Sequence, residues 1–183
     1  MALPKKLETY LKTNKVPHEV VAHRTVFTAY DLAATLKEKL ENIGKTLLIK
    51  ADKRFVLVVL PANRRLDIPK LKKAIAAKVV SIAKEKDMVR ELNVKPGAIT
   101  AFGALHKLEV FADAALARAS KILVGTGSFT ESVRMKARDF FKLENPKTGN
   151  ISSAAGLPNP VVPPKKKTPA RRVAKKGKPK QRR

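Results

Sequence analysis

The 183-residue chain contains no cysteine and no tryptophan. The first absence excludes disulfides, thiolate zinc sites and cysteine nucleophiles together. The second leaves seven Phe and two Tyr as the rings on which a nucleic-acid base could stack. Acid is scarce as well: 15 Asp+Glu stand against 40 Lys+Arg, a formal net charge of +25. A polyanion is the natural partner of such a chain. No apolar run approaches the roughly 20 residues that cross a bilayer, and Met1-Ala2-Leu3-Pro4-Lys5-Lys6 lacks the apolar core of a signal peptide. A cytoplasmic protein without a membrane partner is expected.

What is present is enough apolar residue, 44%, for one domain with a true core. Asn145 to Arg183 holds 12 of the 40 basic residues and no acid. Past Glu144 no periodicity remains, and Lys165 to Arg183 alternates basic clusters with Pro, Ala and Gly. That composition buries too little apolar surface to offset the entropy of ordering. The expected organisation is a folded domain over residues 1–146 and a disordered, basic Pro/Lys/Arg-rich tail over 147–183.

Within the domain, Leu3, Leu7, Tyr10 and Leu11 recur at helical spacing. Thr28 to Ala33 reads as a capped helix, with Thr28 at the N-cap and Asp31 at the third position. Thr46-Leu47-Leu48-Ile49 and Phe55 to Leu60, separated by Ala51-Asp52-Lys53-Arg54, read as neighbouring core strands. Helices over 67–77, 85–92 and 137–143 alternate with short strands over 79–82, 108–112, 121–124 and 132–135. Without a regular βαβ rhythm, this predicts an α/β domain with a mixed, curved, barrel-like sheet and helices packed outside.

Lys45 stands between Gly44 and Thr46 at the mouth of the most apolar part of the chain. It either points outward or points into a pocket, where a lower dielectric strengthens its hold on carbonyl and phosphate oxygens. Gly44-Lys45-Thr46 imitates the end of a P-loop, but the position of that motif's first glycine holds Lys39 and a strand follows instead of a helix. Gly125-Thr126-Gly127 lacks the third glycine and the helix of a dinucleotide fingerprint. His18, His23 and His106 show no metal-ligand spacing, and no Gly-x-Ser-x-Gly elbow occurs. No metal and no cofactor are expected. Gly97 and Gly103 bracket an apolar loop, either a tight turn or a backbone cradle for an oxyanion. Gly125-Thr126-Gly127-Ser128 offers a second close-approach segment or an ordinary loop.

In order along the chain, Thr28-Ala29-Tyr30-Asp31-Leu32-Ala33, Lys45-Thr46-Leu47-Leu48-Ile49, Val59-Leu60-Pro61-Ala62 with Leu66-Asp67, Pro96-Gly97-Ala98-Ile99-Thr100-Ala101-Phe102-Gly103 and Gly127-Ser128-Phe129-Thr130-Glu131 resemble the YbaK/prolyl-tRNA synthetase editing-domain family of aminoacyl-tRNA deacylases. The resemblance runs from about Leu7 to Pro146. It implies a YbaK-like fold and a trans-editing hydrolase that cleaves the ester joining a wrong amino acid to the 3′-terminal adenosine of tRNA. It places catalytic roles on Lys45, Gly97 and Ala101. Substrate contacts fall on Thr28, Ala98, Ile99, Phe102, Gly125, Gly127, Ser128 and Phe129. Lys45 would fix the terminal phosphate or the ester region, and N–H groups around Gly97 would hold the carbonyl oxygen as it becomes anionic. The family's substrate ribose hydroxyl would help activate water, so no general base is needed.

Two residues depart from the pattern. Ala101 stands where the family's Gly-x-x-x-Pro loop ends in proline, and Phe129 stands where many relatives carry histidine. These departures favour an alternative, a noncatalytic nucleic-acid-binding protein that keeps the deacylase fold; Lys45 and the glycines favour the enzyme. The tail lies outside the resemblance. Its cations Lys165, Lys166, Lys167, Arg171, Arg172, Lys175 and Lys176 are expected to attract tRNA or other nucleic acid without sequence preference.

Overall fold

The run Val56 to Leu60 has no polar residue and, in a computed structural model of the chain, no exposed one. A strand apolar on both faces needs cover on both, and that requirement organises the fold. The structure describes residues 3–94 and 97–154. In chain order the elements are α1 (Lys5–Thr13), β1 (His18–Ala22), α2 (Ala29–Leu36), β2 (Ile43–Ala51), β3 (Arg54–Pro61), β4 (Arg64–Leu66), α3 (Ile68–Ala74) and β5 (Val80–Ile82). They continue with α4 (Glu85–Leu92), β6 (Glu109–Asp113), α5 (Ala114–Ala117), β7 (Lys121–Gly125), β8 (Glu131–Lys136), α6 (Ala137–Glu144), β9 (Lys147–Gly149) and β10 (Ser152–Ala154).

One mixed sheet runs in the order β1-β8-β7-β2-β3-β6-β9, with β5 added to β2. β2 and β3 form an antiparallel hairpin in register from Gly44↔Pro61 to Ala51↔Arg54. The turn is closed by Asp52, at φ 51°, whose carboxylate accepts the N–H groups of Lys78 and Val79 at 3.2 and 2.8 Å. β7–β2, β3–β6 and β6–β9 are parallel.

Side chains of alternate sense build two cores on opposite faces of the central strands. Leu48, Leu57 and Val59 pack with Leu7, Leu11, Phe102, Val124 and Phe140. Ile49, Val58 and Leu60 pack with Leu71, Ile75, Phe111 and Ile151. A third cluster, Val26, Leu32, Ile43, Ala62 and Leu123, fills the β2–β7 end.

The fold runs past Pro146, where the sequence marked its end. β9 pairs with β6 at Phe111↔Lys147, and β10 pairs with β4 at Ser152↔Leu66. Ile151 is buried between them, and its N–H donates to the buried Asp113 carboxylate at 3.1 Å. A short polar stretch thus acquires structure through distant partners, without a period of its own. The expected tail cations Lys165 to Lys176 lie outside the described residues. No helix among the described residues is long and apolar enough to cross a membrane.

Candidate active site

β2 is not paired evenly along its second edge. β7 pairs with it at Ile43 and Gly44, and β5 pairs only from Ile49 onward. Lys45, Thr46 and Leu47 therefore pair with no strand on that side, and the sheet forks there. Lys45 is half-buried at the fork. Its ammonium donates to the Arg64 carbonyl at 2.9 Å, which β4 brings over the end of β2. One of three N–H donors is engaged in this bond, and two remain for a ligand. Burial holds the ammonium's pKa below the ordinary lysine range, and the charge of Arg65 acts in the same direction. Arg64 itself turns away to Ser152, donating from Nε to Oγ at 2.6 Å. Lys45 and Arg65 are left as two like charges at one site, an arrangement that an anion relieves.

The two glycine segments meet at the end of β7, one position past its last pair with β2. Gly44 pairs with Val124, so Lys45 and Gly125 are the next positions of the same parallel register. By strand alternation both face the side of Ile43 and Leu123. A Cβ on Gly125 would lie 2.6 Å from the Ile99 carbonyl oxygen, so the loop from Gly97 to Ala101 crosses the end of β7 at a distance only glycine allows. Gly97 has φ +91° and Gly127 has φ +93°. The loop is tied down by the Ala101 N–H donating to the Gly125 carbonyl at 3.1 Å. The N–H groups of Ala98 and Ile99 have no acceptor among the described residues. They are main-chain donors on the crossing segment itself.

Phe129 closes the other side. Its ring lies 3.3 Å from the position of a Gly97 Cβ and packs on Phe27 with ring centroids 5.1 Å apart. Its carbonyl accepts the Val26 N–H at 3.0 Å. The turn before it is self-contained: the Ser128 hydroxyl accepts the Thr130 N–H at 3.2 Å, and the Thr126 hydroxyl donates to the Glu131 carbonyl at 2.8 Å.

Three of the residues expected at the site have other tasks. Ala101 is fully buried and its N–H is taken by Gly125, so it anchors the loop and offers no donor. Phe102 is buried in the core against Phe140, with centroids 6.0 Å apart. Thr28 caps α2: its hydroxyl accepts the Asp31 N–H at 3.0 Å and donates to Asp31 Oδ2 at 2.8 Å. Gly97, Ala98, Ile99, Gly125, Gly127 and Phe129 meet at the loop crossing, Ser128 lies in the turn between Gly127 and Phe129, and Lys45 stands at the fork.

Arg65 and Phe27 carry no signal in the sequence, and Thr46 enters it only within the segments around Lys45. Arg65 reaches the site only because β4 folds back. Phe27 is 65% exposed, which no apolar pattern foretells. Thr46 Oγ1 is buried with no hydrogen-bond partner among the described residues. By strand alternation this hydroxyl points to the face of Leu48 and Val59, opposite Lys45. No group of three or more His, Cys, Asp or Glu among the described residues is placed to hold a metal ion.

A family model described as an aminoacyl-tRNA editing domain matches residues 23–143. Among curated proteins, the chain is 34% identical over 98 residues to a proline–tRNA ligase of Bacillus subtilis (strain 168), covering 54% of this chain and 17% of the ligase. A proline–tRNA ligase of Geobacillus kaustophilus is 31% identical over 111 residues, covering 60% of this chain and 20% of that one. The chain thus spans about a fifth of these relatives. Among solved structures, a hypothetical protein superposes with TM-score 0.76 at 19% identity, covering 81% of this chain and 99% of that one. A candidate trans-editing enzyme for prolyl-tRNA synthetase superposes with TM-score 0.73 at 17% identity, covering 82% and 96%. At these identities the superpositions show the fold, which is YbaK-like.

Proposed function

The chain belongs to the aminoacyl-tRNA editing-domain family, and we propose that it is a trans-editing hydrolase that deacylates mischarged tRNA in the cytoplasm. The observation that carries this reading is the half-buried Lys45 ammonium at the fork of the sheet, beside a glycine crossing with main-chain donors. An aminoacyl ester is already activated, so positioning and charge stabilisation suffice without a protein nucleophile. Lys45, with Arg65 beside it, holds the terminal phosphate or the ester region through its two remaining donors. Water adds to the ester carbonyl, with the neighbouring ribose hydroxyl assisting. The N–H groups of Ala98 and Ile99 stabilise the oxyanion. Collapse expels the ribose oxygen of the terminal adenosine, which takes the proton, and frees the amino acid.

Ala101 and Phe129 support a second reading, nucleic-acid binding without hydrolysis. The Ala101 loop end lacks the stiffness of proline, and Phe129 replaces a polar ring. The basic segment Lys165 to Arg183 would tether RNA in either reading.

Deacylation of a panel of mischarged tRNAs separates the two. The wild type should hydrolyse at least one ester, and Lys45→Ala should lower kcat/KM about 10²–10³-fold, the scale of losing one oxyanion-hole donor. A wild type that binds tRNA tightly and hydrolyses no ester of the panel would exclude the enzyme.

A further inference from the structure

Lys45 grips the Arg64 carbonyl at 2.9 Å, yet β4, which carries that carbonyl, is not part of the main sheet. Among the described residues it pairs with β10 alone, in a separate two-stranded sheet. Two short strands are marginal by themselves, so other contacts must fix them. The register sets Arg64 opposite Ala154, Arg65 opposite Ser153 and Leu66 opposite Ser152. Alternation therefore places Arg64 and Ser152 on one face of the pair and Arg65 on the other. On the first face, Arg64 donates from Nε to the Ser152 hydroxyl at 2.6 Å and from a terminal nitrogen to the Ser152 carbonyl at 3.5 Å. The Asp113 carboxylate stands 4.0 Å from the same Nε. Ser152 and Asp113 are both buried. Asp113 also accepts the Ile151 N–H at 3.1 Å, and the Ile151 carbonyl accepts the Asp67 N–H at 2.9 Å, just past the end of β4. β4 is thus tied down at both ends. With the Arg64 side chain held by Ser152, Arg65 is the cation whose charge bears on Lys45.

The pair also lies over the face of β2 that matters. Leu60 is the cross-strand partner of Lys45, so the two side chains leave the same face. Leu60 packs in one cluster with Leu66 of β4 and with Ile151. β4 and β10 therefore cover the face from which Lys45 projects.

We infer that Ser152 is a positioning residue for Lys45: by holding the Arg64 side chain, it fixes the main-chain carbonyl that orients the ammonium. β10 thereby becomes part of the active site, although it lies past the residues 23–143 that match the editing-domain family. The consequence for rate rests on the deacylase reading; the consequence for Lys45 itself does not.

The test uses the full chain and two readouts. The first is the pH profile of Lys45 acetylation, quantified by mass spectrometry. Burial and the charge of Arg65 hold the Lys45 pKa below 10.5. Ser152→Ala frees Arg64 and loosens β4, so the profile should move up toward 10.5, by about half a pH unit or more. Arg64→Met cuts the same contact from the other side and should move the profile alike. The Arg64 side chain is 34% exposed, so this variant serves where Ser152→Ala fails to fold. Thr148→Ala, which removes a hydroxyl bond to the Pro146 carbonyl on the exposed side of β9, should leave the profile in place. The second readout is hydrolysis of aminoacyl-adenosine. Each variant of the Arg64–Ser152 contact should lower kcat/KM about tenfold. The double variant should lower it no further, because both changes remove one contact. A Lys45 profile unmoved by Ser152→Ala and by Arg64→Met, or moved equally by Thr148→Ala, overturns the inference, as do additive losses in the double variant. An unmoved profile in a protein that hydrolyses esters sinks the positioning role alone. A profile that moves as expected in a protein that hydrolyses nothing sinks the deacylase reading alone.

Discussion

Lys45 and Lys50 stand on the same strand and carry the same charge, yet the fold treats them oppositely. Lys45 is half-buried, tied to the Arg64 carbonyl, and shifted toward its neutral form by burial and by Arg65. Lys50 is exposed on the rim of an open groove. A half-buried ammonium is costly until an anion arrives, and that cost becomes binding energy for the anion. An exposed ammonium costs little and contributes mainly a salt-dependent attraction. The contrast teaches that the chemistry follows from where the sheet forks, since lysine as such is abundant here.

The largest effect comes from exchanging the charge at each end. Lys45→Met should reduce deacylation of aminoacyl-adenosine at least 10²-fold, whereas Lys50→Met should leave it within twofold. Stability should move the other way. The lowered Lys45 pKa means that folding disfavours its proton, so at neutral pH the charged form is a burden on the native state. Between the lowered folded pKa and the unfolded value of 10.5, the unfolded chain binds more protons, and wild-type stability gains as pH rises. Lys45→Met should therefore melt no lower than wild type at pH 7. Any advantage should shrink as the pH is raised toward 10.5. Thermal melts across that range, beside the kinetics, check both halves. A clear loss of Tm at pH 7 would make Lys45 a structural residue.

The same comparison can be sharpened at the glycines, at about 10²-fold. Gly125→Ala places a methyl group 2.6 Å from the Ile99 carbonyl, so the loop must move, and a displacement near 1 Å can cost about 10²-fold in rate. Gly127→Ala meets nothing closer than 3.5 Å and bears only the strain of its φ of +93°. Assayed on aminoacyl-adenosine, Gly125→Ala should lose far more activity than Gly127→Ala, although their losses of stability should be comparable. Equal activity in the two variants would remove the loop crossing from the site.

How much of this the sequence disclosed depends on whether a residue's role is local. The β2–β3 hairpin was legible because Val56 to Leu60 is apolar on both faces and the break at Asp52-Lys53 carries turn chemistry. The α2 cap was legible because Thr28 and Asp31 sit at fixed capping offsets. Lys45 and the glycines were legible as a resemblance, but their neighbourhood was not. β4 and β10 have three residues each and no apolar alternation; they exist because residues far apart in the chain pair at Leu66↔Ser152. Arg65 therefore reaches Lys45 without a local signal. Ala101 and Phe102 show the converse. The motif around them was visible, yet which loop residues turn inward was decided by the core they pack against.

The smallest effect tests where capping ends and recognition begins. Thr28 lies next to Phe27, whose ring leans on Phe129 at the edge of the glycine loop, so proximity alone would make it a substrate contact. Its hydrogen bonds argue otherwise, because the hydroxyl both accepts the Asp31 N–H and donates to the Asp31 carboxylate. Thr28→Ala should cost about 1 kcal/mol of stability, the usual value of an N-cap, and Thr28→Ser should restore it. Neither should change kcat or KM on aminoacyl-adenosine more than twofold at a temperature where both variants are folded. Were Thr28→Ala to raise KM several-fold while its melting curve matched wild type, the hydroxyl would have to leave Asp31 for the substrate. The start of α2 would then belong to the binding surface that Lys45 anchors.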